Sequence, residues 1–356
     1  MILLFDPSPS SLRCCAVENH DYRESQCARE EDWVDFVSRI LGSAQGIDAV
    51  GYLMYHGGER IDEPASLLFE SNLDSVEQCI EYFPEYNSLT CKLGRHGMRE
   101  LPQVPHVLLC DTAFFADLPV EASTYALTHE LCEGGLRRYG GYGLCHQWAW
   151  EQAQCLPGSR KQRVVSVHIG NQPNLAAIRE GRPLETSIGF TPVEGIPSST
   201  TCGDVDPTII FYLRWSGMTF EEINTLLSSE SGLTGLMGRP CNVTDILSAP
   251  GDPDASAARE ILLYSLIKYI GAFTATLGGI DVLVFDTESP EDAADLVGEI
   301  CRKLSFLGAK LPTTRAGRGI ISSDDSAIQV LSLGYNKWEI MAHYVRALLN
   351  QQETGR

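Results

Sequence analysis

Short apolar runs alternate along the chain with longer segments in which apolar and polar residues recur at helical spacing. The runs are rich in β-branched or other large apolar side chains, and each ends in a polar or glycine-rich turn. Runs of this kind are typical of buried strands that deliver loops at their ends. The pattern predicts strands at residues 2–5, 49–55, 106–110, 164–167, 281–285 and 327–333.

The segments between these runs have the periodicity of helices. Pro207 precedes one of them, and proline is tolerated at a helix start because its missing N–H has no partner there. Residues 231–236 read SGLTGL and predict a turn. Strands alternating with helices indicate the α/β class. The predicted helices cover residues 31–41, 73–82, 120–132, 144–154, 208–215, 257–277, 292–307 and 337–349.

Composition narrows the possible partners. The 356 residues are enough for two domains, and 44% of them are hydrophobic. The formal net charge of −20 argues against a nucleic acid or an anionic membrane as partner, since both require a basic surface. The first residues have no basic region of the kind found in signal peptides, and no apolar run approaches the ~20 residues that span a bilayer. The twelve cysteines form no CxxC pair, so we expect free thiols and a cytoplasmic location.

Three blocks of sequence carry a family resemblance. Residues 137–146 read RRYGGYGLCH, residues 168–171 read HIGN, and residues 189–195 read GFTPVEG. They resemble the RRYGFHGTSH, HLGNG and GFTPLEG patterns of the acetate kinase family, and the resemblance extends from residue 2 to about residue 348. It implies a two-domain actin-like, sugar-kinase-like (ribonuclease H-like) α/β fold with the active cleft between the domains. The expected domains are residues 1–111 with a returning helix in 334–356, and residues 112–333.

The resemblance also implies an activity. Members of the family transfer a phosphoryl group from ATP, with Mg²⁺, to a short-chain carboxylate and so form an acyl phosphate. Both reactants are anions, so such an enzyme must align them and neutralise charge on the transferring group. The resemblance further implies a homodimer formed through the second domain, which would carry the nucleotide site.

In the first domain the resemblance points to the segment after the first strand and to a later aspartate. Residues 5–13 resemble the family's INCGSSSLK, which implies phosphate contacts by Ser10, Ser11 and Arg13 and a metal-linked role for Asp6. Asp111 opens the motif DTAF and is implied as a catalytic, metal-associated group. The residues themselves allow other interpretations, because residues 5–13 also suit a rigid hairpin and Asp111 also suits a helix N-cap.

The remaining implied site residues come from later blocks. Tyr142 and His146 fall at catalytic positions, although His146 also suits a packing role. The phosphate-binding positions fall on His168, Gly170, Asn171, Gly203 and Asp204. Residues 203–207 also suit the cap of the helix that follows them.

Several family positions carry other residues in this chain. Leu53 and Thr201 stand where the family has arginines, and Tyr142 stands where it has a histidine. The magnesium-linked glutamate falls on Trp338 or on its neighbour Lys337. Residues 285–292 lack the paired glycines of the family's adenosine loop. Arg137 and Arg138 are the arginines of the first block that we expect near the ligand.

Three functions therefore stay open at the level of sequence. The first is an ATP-dependent carboxylate kinase of acetate or propionate type. The second is a catalytically impaired or inactive family member that acts as a binding or regulatory partner. The third is a hydrolase of phosphate esters or acyl phosphates that uses carboxylates and a metal ion.

Overall fold

The computed structural model describes residues 1–8, 11–28, 32–43, 46–158, 162–249, 251–312 and 317–354. The chain divides into two compact units. The first unit comprises Met1–Ala116, Gly141–Cys145 and Asn336–Arg356, and the second comprises Asp117–Gly140 and His146–Tyr335. The sequence had placed the changes of domain near residues 111 and 334.

The strands alternate with helices along the chain, as the sequence predicted. They are β1 (Ile2–Pro7), β2 (Ser11–Glu18), β3 (Asp21–Ala28), β4 (Ala49–Met54), β5 (Ala65–Leu67), β6 (His106–Cys110), β7 (Arg163–Ile169), β8 (Asn174–Arg179), β9 (Arg182–Thr186), β10 (Val282–Thr287), β11 (Gly319–Ile320) and β12 (Gln329–Gly334).

The helices vary widely in length. They are α1 (Trp33–Ser43), α2 (Glu70–Gln78), α3 (Pro84–Glu100), α4 (Val120–Ser123), α5 (His129–Glu133), α6 (Gly143–Gln154), α7 (Thr208–Trp215), α8 (Phe220–Ser229), α9 (Gly232–Met237), α10 (Val243–Leu247), α11 (Pro253–Leu277), α12 (Pro290–Lys303) and α13 (Lys337–Glu353). Short 3-10 turns occupy Cys79–Tyr82, Ala113–Phe115 and Ser305–Leu307.

Each unit is built on one sheet, and within the described residues each sheet has six strands. The first has the order β3-β2-β1-β4-β6-β5, and the second has the order β11-β12-β10-β7-β8-β9. Parallel pairs form the centre of each sheet, and antiparallel strands extend it on both sides. The predicted α/β class is confirmed.

The burial of the central strands explains why the pattern of apolar residues predicted their positions. Every residue of β1, β4 and β10 is buried, as expected for parallel strands that helices cover. In the first unit, α3 and α13 both pack against β1 and β4. The C-terminal helix therefore completes the core that the N-terminal strand begins.

Two predictions about local structure were wrong. Residues 231–236 do not form a simple turn, because α9 begins at Gly232 and buries Leu233 and Met237, which lie four residues apart on one helix face. Residues 120–132 do not form one helix. They form α4 and α5, and between them Thr124 makes a β-bridge with Arg137.

Among the described residues, only α11 is long and apolar enough to cross a membrane by length and composition. Nine of its side chains are buried, however, and most of them belong to the hydrophobic core of the second unit. Helix α11 accordingly serves as a core helix of that unit.

The core of the first unit contains a close contact between a helix and a strand. Tyr52 of β4 donates a hydrogen bond of 2.9 Å to Nδ1 of His106, whose Nε2 donates to the carbonyl of Leu101 at 3.1 Å. The Tyr52 ring also stacks on Phe5. A Cβ on Gly97 of α3 would overlap the Tyr52 hydroxyl, so the helix needs glycine where it crosses this phenol.

We expect Gly97→Ala to destabilise the protein by about 1–3 kcal/mol, because the fixed tyrosine cannot yield without breaking its hydrogen bond. The midpoint of urea unfolding, followed by fluorescence, measures the change. Gly42→Ala is the matched control in α1, since nothing lies within 4 Å of its Cβ, and alanine there is expected to be neutral or to stabilise by up to about 1 kcal/mol. Equal midpoints for the two variants would contradict the packing argument.

Candidate functional site

A buried ionic cluster lies at the end of β1 in the first unit. Asp6 is fully buried, and Arg13 faces it in the register of the β1–β2 hairpin and forms an ion pair with its Oδ2. Tyr55, directly after β4, donates its hydroxyl to Asp6 Oδ1 at 2.7 Å. The Lys337 ammonium, at the first residue of α13, lies 3.1 Å from Asp6 Oδ2 and 3.2 Å from the Tyr55 oxygen. Four segments of the first unit thus meet at one carboxylate.

The charges of this cluster determine the protonation of Asp6. Burial alone would raise the pKa of its carboxyl group. The charges of Lys337 and Arg13 and the hydrogen bond from Tyr55 outweigh burial and hold the pKa below its usual value. Asp6 is therefore an anion at neutral pH, and it is fully compensated.

Asp111 follows β6 and caps helix α6. Its Oδ2 accepts the N–H of Tyr142 at 3.0 Å and its Oδ1 accepts the N–H of Leu144 at 3.4 Å, while its carbonyl accepts the N–H of Gly143. A Cβ on Gly143 would overlap that carbonyl, so glycine is required at the first residue of the helix. Asp111 therefore caps a helix, as one interpretation of the sequence suggested. The helix is α6, however, and not the turn that directly follows Asp111.

Burial raises the pKa of Asp111 to about 6, against the lowering effects of the Lys337 charge and of the two amides. Tyr142 next to it has a φ of 57°, in the left-handed region that few non-glycine residues adopt. Burial also raises the pKa of the Tyr142 phenol, so this side chain stays neutral. Asp111 and Tyr142 together thus supply one titratable carboxyl group and one neutral hydroxyl group.

The surroundings of these carboxylates are unsuited to a divalent metal ion. Mg²⁺ prefers carboxylate and water oxygens in an octahedral arrangement. Both oxygens of Asp6 already accept hydrogen bonds from cationic or hydroxyl donors, and both oxygens of Asp111 accept backbone amides. The ammonium of Lys337 adds a positive charge that would repel a cation.

In the second unit, His168 lies near the end of β7, and Gly170 and Asn171 lie in the loop that follows the strand. His168 Nδ1 pairs with Asp286 of β10, and the ring of Tyr335 packs edge-on against it. A Cβ on Gly170 would overlap the His168 ring. Asn171 accepts hydrogen bonds from Ser199, through its side chain at 3.3 Å and its carbonyl at 2.8 Å. Hydrogen bonds therefore hold the loop after β7 and residues 198–201 together.

Asp204 joins the loop at Gly195 to helix α11 in the second unit. Its Oδ1 accepts the N–H of Gly195 at 3.1 Å, and its Oδ2 accepts the hydroxyl of Tyr269 at 2.7 Å. Gly203 has a φ of +72°, and a Cβ there would crowd the Gly195 carbonyl. The start of α7 is capped by Asp206 instead, which accepts the N–H and the hydroxyl of Thr208.

The substituted positions are filled by well-packed residues. Leu53 and Trp338 are buried, and the Arg13 guanidinium lies 5.9 Å from the centre of the Trp338 ring. Thr201 donates its hydroxyl to Ser198 Oγ at 2.8 Å. Ser11 donates its N–H to Ser8 Oγ at 3.0 Å within the hairpin turn. Ser10 lies outside the described residues.

The two arginines of the first block have different surroundings. Arg138 pairs with Glu194 at 3.0 Å and lies over the ring of Tyr125. Arg137 lies 5.7 Å from the centre of the Tyr139 ring, and its buried Nε has no hydrogen-bond partner among the described residues. The charge of Arg138 is therefore already compensated.

Sequence reasoning assigned no role to Tyr55, and it named Lys337 only as one of two residues at the position of the family's magnesium-linked glutamate. One signal for Lys337 was present, because it begins a helix, where the macrodipole disfavours cations. It also has no carboxylate three or four residues later, as Ile340 and Met341 occupy those positions. A lysine so placed needs a partner elsewhere in the fold.

His146 is fully buried in the second unit. Its Nδ1 lies 2.9 Å from Ser166 Oγ and its Nε2 lies 2.6 Å from Asn174 Oδ1. Burial lowers its pKa to about 4, against the raising effects of Asp286 and Asn174. It is a neutral imidazole that links α6 to β7 and β8.

Comparison with known proteins gives consistent matches. The model of the Acetokinase family matches residues 18–343. Acetate kinase from Coprothermobacter proteolyticus is 38% identical over 310 residues, which cover 84% of this chain and 77% of that protein. The crystal structure of Porphyromonas gingivalis acetate kinase superposes with a TM-score of 0.88 at 27% identity, over 98% of this chain and 99% of the other. A propionate kinase from Francisella tularensis gives a TM-score of 0.86 at 25% identity, over 96% and 97% of the two chains.

The His146 environment predicts a pH dependence of stability. Between pH 6.5 and 4 the unfolded histidine binds a proton and the folded one does not, so acidification costs the folded state up to about 3 kcal/mol. The titration of Asp111 has the opposite effect on stability between about pH 4 and 6, because burial raises the pKa of its carboxyl group in the folded state above the value in the unfolded state. We expect His146→Gln to be less stable than the wild type at pH 7, and the gap to shrink by up to about 3 kcal/mol at pH 4.

Urea unfolding at a series of pH values measures the difference in stability between the two proteins. The contribution of Asp111 cancels in this difference because both proteins retain that residue. His20→Gln, at an exposed histidine, is the control and should leave the pH dependence unchanged. A constant gap between the wild type and His146→Gln from pH 7 to pH 4 would show that His146 is not held neutral.

Proposed function

Because the chain belongs to the acetokinase family, we propose that it transfers the γ-phosphoryl group of ATP to a short-chain carboxylate, giving an acyl phosphate. A carboxylate oxygen attacks the γ-phosphorus, the bond to the β–γ bridging oxygen breaks, and ADP leaves. The observation that supports this most strongly is the 38% identity to an acetate kinase over 84% of the chain. Magnesium enters as part of the Mg-ATP substrate.

Residues of the first unit suit contact with anionic groups. Arg13 and Lys337 are both partly exposed and share the single carboxylate of Asp6, so the three together carry a net positive charge. Asp111, with a pKa of about 6, is poised to hold or release a proton near neutral pH. Tyr142 beside it offers a neutral hydroxyl donor. We assign catalytic roles to Asp111 and Tyr142, and phosphate contacts to Arg13 and Ser11.

In the second unit we propose His168, Gly170, Asn171, Gly203 and Asp204 as the nucleotide-phosphate residues. Glycine at 170 and at 203 keeps the backbone of both loops free of side chains. His146 supports this region by fixing α6 to the sheet. Ser10, which the resemblance also implies for phosphate binding, stays a prediction.

No specific observation favours the alternatives of an inactive regulatory partner or of a hydrolase. The relatives that match most of the chain carry the names of acetate and propionate kinases. We propose the cytoplasm as the compartment, where ATP and short-chain acids are both available.

We also propose that the protein is a homodimer formed through the second unit. Helix α7 reads TIIFYLRW, and none of its residues is buried. Trp215 at its end is 83% exposed and Phe220 at the start of α8 is 69% exposed. An apolar helix with no buried residue lacks the partner that such helices need in water.

Helix α11 of the same unit also carries exposed apolar residues. Ile261 and Tyr264 are exposed at positions three apart, and Lys268 follows four residues later on the same helix face. Lys268 lies 3.7 Å from Asp204, which precedes α7. We propose that the exposed side chains of α7, α8 and α11 contribute to the dimer contact, with the same surface of a second copy as the occupant.

The activity is tested by trapping acyl phosphate with hydroxylamine in the presence of Mg-ATP and acetate, propionate or butyrate. We expect ATP-dependent hydroxamate with at least one acid. Asp111→Asn should lower kcat/KM by about 10²–10³-fold, because it removes the ionisable group beside Tyr142. Asp74→Asn, at an exposed carboxylate of the first unit, should retain the wild-type rate. Absence of product with every acid would refute the proposed reaction.

The dimer is tested by sedimentation equilibrium. We expect the wild type at twice the chain mass of 39.1 kDa and Trp215→Glu at the single-chain mass, because a charge would be buried in the contact. Phe306→Glu, at an aromatic residue that is 76% exposed elsewhere in the second unit, should remain dimeric. A wild type of single-chain mass would exclude this assembly.

A further inference from the structure

The position of Lys337 has a consequence for metal binding. Its ammonium group contacts Asp6 Oδ2 and the Tyr55 oxygen, and its charge opposes the rise in pKa that burial causes at both Asp6 and Asp111. These two aspartates are the carboxylates of the first unit to which the family resemblance assigns a metal ion. The chain itself therefore supplies a cation, the ammonium group of Lys337, that favours the ionised forms of the two aspartates.

The hydrogen-bond donors around the two carboxylates are consistent with this role of Lys337. Asp6 is wholly buried and binds Arg13, Lys337 and Tyr55, so its oxygens have strong donors on both sides. Asp111 directs both oxygens to the amides at the start of α6. A divalent ion would have to displace several of these donors and approach two fixed positive charges.

We propose that Lys337 is a resident cation that replaces a protein-bound divalent metal ion in the first unit, so that Asp6 and Asp111 bind no Mg²⁺. Any magnesium that takes part in the reaction then arrives with the nucleotide and is bound through its phosphates. This inference concerns metal binding by the protein alone, and its test requires no catalysis. It therefore stands or fails separately from the proposed kinase activity.

The experiment is a titration of nucleotide-free full-length protein with Mn²⁺, in which the electron paramagnetic resonance signal reports free ion. We expect the wild type to bind no Mn²⁺ up to about 1 mM. Lys337→Glu replaces the ammonium with a third carboxylate, so it should bind one ion per chain with a Kd at least tenfold lower than any binding by the wild type. Mn²⁺ should also raise the Tm of this variant and not that of the wild type.

Two further variants make the result specific. Lys92→Glu makes the same charge change at an exposed position of α3 and should bind no ion. If three clustered carboxylates prevent Lys337→Glu from folding, Asp6→Asn combined with Lys337→Glu keeps two of them and should bind one ion.

Stoichiometric Mn²⁺ binding by the wild type that Asp6→Asn abolishes would overturn the proposal. Failure of every folded Lys337→Glu variant to bind an ion would overturn it as well, because the lysine would then not be what excludes the metal.

Discussion

The compensation of one buried carboxylate organises the first unit. A charge without contact with water is costly unless cations and hydrogen-bond donors surround it. Asp6 meets that requirement through Arg13 from β2, Tyr55 after β4 and Lys337 from α13. Because Lys337 lies 331 residues away along the chain, this interaction joins the last helix to the first strand. The hairpin, the parallel centre of the sheet and the returning helix are all fixed at the same point.

Asp111 shows the other way in which the same unit accommodates a buried acid. Among the residues that the structure describes, no cation contacts it directly, and its oxygens accept hydrogen bonds from amides at the positive end of α6. These contacts offset burial only partly, so the carboxyl group titrates near pH 6. Two aspartates at the ends of parallel strands of the same sheet thus differ in acid strength, because one has ion-pair partners and the other has dipoles. Environments that separate acid strengths in this way are characteristic of functional sites.

The pattern of apolar runs predicted the α/β class correctly because of the central strands, and the family resemblance correctly implied the actin-like fold. Strands such as β6 and β10 are buried throughout, so they appear as continuous apolar runs between turns. Edge strand β3 exposes six of its eight residues and has no such signature, and it was not predicted. Helix α9 was missed because its two glycines resemble a turn, while its helical state depends on burying Leu233 in the core.

The candidate site was predictable only where a motif fixes the backbone. Asp111, Gly143 and Gly170 have local reasons for their identity, since each is constrained by an amide cap or by a close approach. The Lys337 contact depends on how α13 packs on β1 and β4, which no local pattern encodes. Its role also depends on Asp6, with which the partly exposed ammonium group forms an ion pair.

These local charges also matter for the proposed contacts of the first unit with anions. Arg138 of the second unit is neutralised by Glu194, so its charge is not available to a ligand. Arg13 and Lys337 together exceed Asp6 by one positive charge, and this excess persists only while Asp111 is protonated. Ionisation of Asp111 brings the cluster to neutrality. If these residues bind a phosphate or a carboxylate as proposed, release of the proton from Asp111, whose pKa burial raises to about 6, would weaken their attraction for that anion.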